Sequence, residues 1–291
     1  MDSVVIALSS REEPFAATQV KSVQDGRAGG RLNTGMTDTT TPPSPPPFRL
    51  KFLPLLVTAA LGYAVPEAGA YLAVFIIRTF HIPITPGGNV EWLYAQHAGQ
   101  TLVALAVILV MKTWFVKADY GLHWPRGKTC IRDAVLWGTA FGVIMTVVDY
   151  FPQLLSGGKP DIGFPLTPVN IFGWTLFEGV YVGPTEEIPF RALLVTYLAT
   201  TMPGKLRIAR FEMDWAGIFV AIIFALLHAT SFSTENWPQA LGQQVYAFAL
   251  GVLYAYWLEK SKSVVAPVIG HNVSDVVEYL ILFAWLALLG H

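Results

Sequence analysis

Long apolar stretches separated by short polar ones run from about residue 48 to the end of the chain. Seven of them have roughly the 20 residues that a helix needs to cross a membrane. They lie near residues 52–79, 99–116, 133–155, 169–201, 215–232, 240–258 and 264–290. The pattern predicts an all-α fold, a polytopic bundle of transmembrane helices.

Two of these stretches are longer than a simple span. The 33 residues of 169–201 would reach about 50 Å as one helix. Gly183-Pro184 is predicted to break this stretch, so that Glu186 begins a new helix whose first turn favours carboxylates. The first stretch contains Gly62, Pro66 and Gly69 and could be broken in the same way. The prediction is therefore seven to eight spans, with broken helices near the candidate site.

The composition agrees with a membrane setting. The 291 residues are 53% hydrophobic and only 13% charged, with a mean hydropathy of +0.48. The net charge of −1 gives no electrostatic support for binding nucleic acid. Cys130 is the only cysteine, which excludes an internal disulfide and a cysteine-cluster metal site.

The chain divides into a polar tail and an apolar domain. Residues 1–47 are rich in Pro, Thr and Ser and are predicted to be a disordered tail, and residues 48–291 the transmembrane domain. Lysines and arginines concentrate in alternate loops, as the positive-inside rule describes for a cytoplasmic N-terminus. We therefore expect an integral, multi-pass membrane protein with its N-terminus in the cytoplasm.

A cluster of three charged residues interrupts the fourth apolar stretch, Glu186, Glu187 and Arg191, and Glu178 lies earlier in the same stretch. Ionisable groups at membrane depth cost about 2.5–3.5 kcal/mol each on insertion scales and commonly mark a functional path. Glu187 and Arg191 are four residues apart and share a helix face, so we expect them to form a buried ion pair. Glu186 is turned by about 100° and would face a cavity, where it could accept a proton from water. The alternative is that both acids only pair with Arg191.

Two later stretches each contain a histidine. His228 follows Phe224 by one turn, and Asp275 follows His271 by one turn. A single buried histidine is more often a hydrogen-bonded core residue than a catalyst, but a carboxylate pair and two histidines together indicate a catalytic centre. The other four histidines, at positions 81, 97, 123 and 291, are predicted to lie in solvated loops or at the terminus.

The predicted span ends raise a geometric difficulty for this centre. They place Glu186 and His228 about 20 Å deep but His271 only about 10 Å deep. The three residues can meet only if helices tilt, break or begin elsewhere.

These motifs resemble those of the CAAX protease and bacteriocin-processing (CPBP, Abi) family of glutamic intramembrane endopeptidases. The resemblance consists of Glu-Glu-x-x-x-Arg at 186–191, Phe-x-x-x-His at 224–228 and a histidine with a polar residue four positions later at 271–275. It covers about residues 169–290. The resemblance implies a catalytic set of Glu186, His228, His271 and Asp275, supported by Glu187, Arg191 and Phe224.

The mechanism implied by the resemblance needs no cofactor. Glu186 and His228 would activate a water that attacks the scissile carbonyl, and His271 with residue 275 would stabilise the oxyanion. Many members of the family have asparagine where this chain has Asp275. An ionised aspartate cannot donate a hydrogen bond, so Asp275 must be protonated or must orient His271, or its assignment is wrong.

Other mechanisms and functions use the same residues. Glu186, His228 and His271 could bind zinc and leave a fourth position for water. Ser231 and Ser233 could serve a serine mechanism, although the chain has no Gly-x-Ser-x-Gly turn. A transporter or non-catalytic scaffold could also use buried charges. The partners expected are the lipid bilayer and a membrane-associated peptide or protein, and the sequence gives no oligomeric state.

Overall fold

The computed structural model describes residues 50–84, 90–155, 162, 164–208, 211–234 and 236–288. The whole predicted tail at 1–47, the last residues 289–291 and the short stretches between these ranges lie outside the described residues. Six uninterrupted helices are α1 (Phe52–Thr79), α2 (Val90–Val110, continued by a π-helical turn at Met111–Phe115), α3 (Ile131–Leu155), α5 (Trp215–Leu227), α6 (Trp237–Ser261) and α7 (Val265–Leu288).

The remaining long helix, α4, alternates between α and π geometry. Its segments are Pro168–Leu176 (α), Phe177–Tyr181 (π), Val182–Glu187 (α), Ile188–Val195 (π) and Thr196–Thr201 (α). The helical structure thus continues through Gly183-Pro184, and the predicted new helix starting at Glu186 is wrong. Helix α1 likewise continues through Pro66, so the described residues contain seven long helices in all. An all-α membrane bundle is confirmed.

Side chains from neighbouring helices explain how α4 keeps its prolines. A proline frees the carbonyl four residues before it because it has no N–H. For Pro184 that carbonyl belongs to Val180, and Asn272 Nδ2 donates to it at 3.3 Å. For Pro189 it belongs to Thr185, and Gln100 Nε2 donates to it at 2.9 Å. Amide side chains therefore replace the missing backbone bonds inside the bundle.

Glycines permit the closest helix contacts. A Cβ built on Gly99 of α2 would meet the backbone of Gly69 on α1. One built on Gly138 of α3 would lie 2.7 Å from the Gly270 carbonyl of α7, and one on Gly142 would lie 2.5 Å from the Ser274 carbonyl. Gly138 and Gly142 form a small-xxx-small pair, the pattern that lets membrane helices approach closely. Helix α7, which carries His271, is thus fixed against α3.

Five segments in the described part of the chain are long and apolar enough to cross a membrane: Phe52–Thr79, Val90–Phe115, Ile131–Gln153, Trp215–Ser233 and Val265–Leu288. They support an integral membrane protein. The other two long helices, α4 and α6, carry polar residues within their apolar sequence, with the Glu-Glu pair on α4 and three glutamines on α6.

A small hairpin follows α4. Strands β1 (Lys205–Ile208) and β2 (Phe211–Asp214) are antiparallel, and Lys205 pairs with Asp214 in their register. Glu259, near the end of α6, accepts from Lys205 Nζ at 2.6 Å and from the Asp214 backbone N–H at 2.7 Å. The hairpin therefore ties the end of α4 to the end of α6.

Candidate active site

A buried chain of charged groups links α4 to α7. Arg191 Nε lies 3.1 Å from Glu187 Oε2, and Glu187 Oε1 lies 2.7 Å from His271 Nδ1. The Glu187 side chain is completely buried, and that of Arg191 is 1% exposed. The predicted ion pair between Glu187 and Arg191 is confirmed. The second carboxylate oxygen of Glu187 contacts His271.

Aromatic rings complete the surroundings of Arg191. Its guanidinium carbon lies 4.4 Å from the centre of the Phe224 ring and 5.1 Å from that of Tyr254. Glu187 meets only one edge of the guanidinium, so the π faces of these rings stabilise the rest of the cation. Phe224 therefore supports the centre through Arg191, and its ring also packs edge-on against His228 at 4.9 Å.

Glu186 has different surroundings from its neighbour. Its side chain is 19% exposed and lies between two imidazoles. His97 Nε2 is 3.3 Å from Oε1, and His271 Nε2 is 3.8 Å from Oε2. The different roles predicted for the two acids agree with this geometry. Glu187 is enclosed between Arg191 and His271, whereas Glu186 is partly exposed.

His228 directly follows α5 and begins a short 3₁₀ turn at His228–Thr230. Its Nδ1 lies 2.9 Å from the Phe224 carbonyl. Because a carbonyl only accepts, Nδ1 carries the proton in the neutral ring, and Nε2 is the nitrogen with a free lone pair. None of the described side chains binds this Nε2, so it is free to hold a water or a substrate group.

Asp275 lies one turn after His271, as the spacing predicts. Its Oδ2 is 3.3 Å from His271 Nε2, and Ser274 Oγ donates toward its Oδ1 at 3.0 Å. Both ring nitrogens of His271 therefore face carboxylates, Glu187 on one side and Asp275 on the other. With ionised carboxylates, this arrangement fits a doubly protonated imidazolium, since carboxylates only accept.

Glu186 and His228 line two cavities. The larger has a volume of about 730 Å³. Around it are carboxyl groups from three helices, namely Asp149, Glu178, Glu186, Asp275 and Glu278, together with His228 and His271. The second cavity, of about 440 Å³, has a more apolar wall that includes Tyr63, Phe190 and Leu226. A polar cavity of this size can hold several waters inside the bundle.

The sequence prediction missed His97. It was predicted to be a solvated loop residue because the second span was placed from residue 99, whereas α2 begins at Val90. His97 is therefore inside the helix, and its side chain is only 12% exposed. No local motif in the sequence marked His97.

The predicted difference in depth does not separate the histidines. His271 Nε2 lies within 3.8 Å of Glu186, and the rings of His271 and His228 both pack against Phe224, with centroids 6.3 and 4.9 Å away. All seven predicted site residues thus lie together, drawn from α4, α5 and α7.

The residues do not form an obvious zinc site. No group of three His, Cys, Asp or Glu in the described ranges is arranged to hold a metal ion. Both nitrogens of His271 face carboxylates, so zinc could bind this ring only if one of those contacts were broken. The donor set thus gives the zinc alternative little geometric support.

The fold and the cavity define a polytopic membrane protein with a polar centre inside its bundle. Residues 168–277 match the family model described as Type II CAAX prenyl endopeptidase Rce1-like. This match confirms the resemblance to the CAAX protease and bacteriocin-processing family, and it contains Glu186, His228, His271 and Asp275. It supports a CAAX-type intramembrane endopeptidase, which is a peptide hydrolase, and gives no support to the transporter or scaffold alternative.

The chain has no match among curated proteins and none among solved structures.

Proposed function

We propose that this protein is a glutamic-type intramembrane endopeptidase, in which Glu186 and His228 activate a water that hydrolyses a peptide bond. The observation that carries the proposal is the different placement of the two adjacent acids. Glu187 is enclosed between Arg191 and His271, while Glu186 lines both cavities beside His228. Glu186 is thus the carboxylate that a cavity water can reach.

The reaction begins at this water. One O–H bond of the water breaks, its proton moves to the Glu186 carboxylate, and the oxygen bonds to the scissile carbonyl carbon. Nε2 of His228 accepts a hydrogen bond from the same water and orients it. When the C–N bond breaks, Glu186 returns the proton to the leaving nitrogen, giving an acid and an amine without a covalent enzyme intermediate.

His271 supplies positive charge for the oxyanion. Its Nε2 lies 3.3 Å from Asp275 Oδ2 and 3.8 Å from Glu186 Oε2, and in the proposed reaction its hydrogen is shared between Asp275 and the oxygen of the substrate carbonyl. In this scheme the Asp275 carboxylate accepts a hydrogen bond from His271 and so orients its ring. This is the second of the three options that the sequence left for Asp275. A preorganised donor of this kind is typically worth about 100- to 1000-fold in rate.

The substrate we propose is a peptide or protein held at the membrane, prenylated or not. The larger cavity has the volume for several residues of an extended peptide beside the candidate centre. No cofactor enters the proposed steps.

The experiment is cleavage of matched membrane-tethered peptides, with and without a prenyl group, by the purified protein in lipid nanodiscs. We expect cleavage that a zinc chelator and a serine-directed inhibitor leave unchanged. Loss of cleavage on chelation, with recovery on adding zinc, would replace the proposal with the metal mechanism. No cleavage of any peptide together with proton-coupled uptake in liposomes would favour a transporter.

The orientation we propose places the N-terminus in the cytoplasm. A protease site inserted before residue 47 should then be protected in sealed right-side-out vesicles and cut in inverted ones. The reverse pattern would contradict this orientation without affecting the proposed chemistry.

A further inference from the structure

His97 lies next to Glu186 but comes from a part of the chain outside the matched residues 168–277. It lies on α2, and its Nε2 is 3.3 Å from Glu186 Oε1. Neither of the two cavities described above includes His97 in its wall. Its contact with the centre is therefore made through Glu186.

The proton on this histidine can be placed from its contacts. Nδ1 lies 3.0 Å from the Leu93 carbonyl, which only accepts, so Nδ1 must carry a hydrogen. Nε2 then faces a carboxylate oxygen, and one proton must lie between these two atoms. The pair is either an imidazolium with an ionised Glu186 or a neutral imidazole with a protonated Glu186. Each form keeps the Glu186 Oε1 position fixed.

The surroundings hold the ring in this position. The buried ring of Phe177 packs edge-on against it, with centroids 5.0 Å apart and an interplanar angle of 90°. One turn along α2, Gln100 donates to the Thr185 carbonyl, one residue before Glu186. The close contact of Gly99 with Gly69 fixes α2 against α1 as well. The packing of α2 against α4 and α1 thus supports the contact between His97 and Glu186.

We propose that His97 is a positioning residue of the catalytic centre: as an imidazolium it donates from Nε2 to Oε1 of the ionised Glu186 and so holds this carboxylate for attack on water. This inference rests on the proposed role of Glu186. While the intermediate exists, the proton taken from water stays on the Glu186 carboxyl group, which His97 keeps in place, and Glu186 then gives it to the leaving amine. The overall reaction consumes one water and one peptide bond and gives one acid and one amine, so atoms and charge balance.

Other charged groups also surround Glu186. Those facing it or sharing its cavities from the packed helices are His271, Asp275 and Glu278 on α7, Asp149 on α3, His228 after α5, Glu178 on α4 and Glu67 on α1. Of these, His228 is proposed to orient the water and His271 to stabilise the oxyanion. His97 differs from them because it does not line the cavities, so its loss should affect turnover without affecting substrate binding.

The test compares His97→Phe and His97→Gln with wild type in a peptide-cleavage assay that resolves kcat and KM. Phenylalanine keeps a ring beside Phe177 but has no donor, so we expect kcat to fall about 100-fold, the cost of misplacing a reacting group. KM should stay within about twofold, since the ring does not line the cavities. Glutamine can still donate to Glu186 Oε1 and should recover most of the lost rate.

His123→Phe is the matched control, because His123 lies in the loop after α2, pairs with Asp119 and does not line either cavity of the site. It should leave kcat unchanged. Wild-type turnover in His97→Phe, beside an inactive Glu186→Gln, would overturn the role of His97 and leave the proposed function intact. Equal losses in both His97 variants, with lower melting temperatures and a higher KM, would show a merely structural role. Full activity in Glu186→Gln would refute both proposals.

Discussion

Two adjacent glutamates on one helix have opposite surroundings. Glu187 is completely buried between a guanidinium and an imidazole, where removing one partner would leave an uncompensated charge. Glu186 lies in the cavities between His97 and His271 and has room for water. At the residue scale, a rotation of about 100° along a helix separates a structural acid from a proposed catalytic one.

The role of Asp275 can be tested with two substitutions of similar size. Asp275→Asn keeps an oxygen that can accept from His271 Nε2, so we expect cleavage within about tenfold of wild type. Asp275→Leu removes the acceptor and should lose about 100- to 1000-fold in kcat, the range for a misdirected oxyanion donor. The measurement is the initial rate of peptide cleavage. Equal activity in both variants would show that Asp275 does not hold His271.

Local spacing predicted some contacts of the centre and could not predict others. Glu187 with Arg191 and His271 with Asp275 are one turn apart, so helix periodicity alone brings them together. The contact between His97 and Glu186 joins residues 89 positions apart. It depends on how α2 packs against α4, and nothing in the sequence near His97 reports that packing.

At the element scale, α4 shows how a helix keeps prolines at membrane depth. The sequence predicted a break at Gly183-Pro184, because an isolated helix would lose hydrogen bonds there. The bundle supplies them instead: Asn272 donates to the Val180 carbonyl and accepts from the Gly183 N–H at 2.7 Å. The π-helical segments on both sides take up the altered geometry. This compensation comes from α7 and could not be predicted from α4 alone.

Gly183→Ala should disturb this contact. A Cβ at position 183 would lie 2.7 Å from the Val268 carbonyl and closer still to the Asn272 side chain, so α4 and α7 would have to separate. We expect a lower melting temperature and at least a tenfold loss of activity, since a shift of about 1 Å can cost 100-fold.

Gly173→Ala, on the same helix, is the control for Gly183→Ala. Its Cβ would meet only Val90 Cγ1 at 3.4 Å, an ordinary contact, and both stability and activity should stay near wild type. The comparison is made by thermal unfolding in detergent and by cleavage rate. If Gly183→Ala behaved like Gly173→Ala, the close packing of α4 on α7 would not be needed for the site.

At the scale of the whole molecule, the hydrophobic pattern predicted the bundle more accurately than the site. Six predicted spans agree with observed helices to within a few residues at most ends. The agreement is good because a helix that crosses a membrane needs about 20 consecutive apolar residues, a length that can be read from the sequence. The start of α2 was the main error, at Val90 instead of residue 99. That error placed His97 in a loop before the second span and hid its contact with Glu186.

The bundle also explains how polar chemistry can take place among apolar helices. The exposed large hydrophobic side chains, such as Phe52, Leu109 and Val169, face outward, while carboxylates and imidazoles face the central cavities. Water in such a cavity is the second substrate of the proposed hydrolysis. The cost of placing charges at this depth is offset by the pairing of Glu187 with Arg191 and His271.

The most direct test of the central claim is the initial rate of peptide cleavage by Glu186→Gln beside Glu187→Gln and wild type, with melting temperatures measured on the same samples. We predict that Glu186→Gln loses at least about 100-fold in kcat with an unchanged melting temperature, because an amide cannot take a proton from water. Glu187→Gln should instead unfold at a lower temperature. A Glu186→Gln protein that cleaves at the wild-type rate would contradict the account.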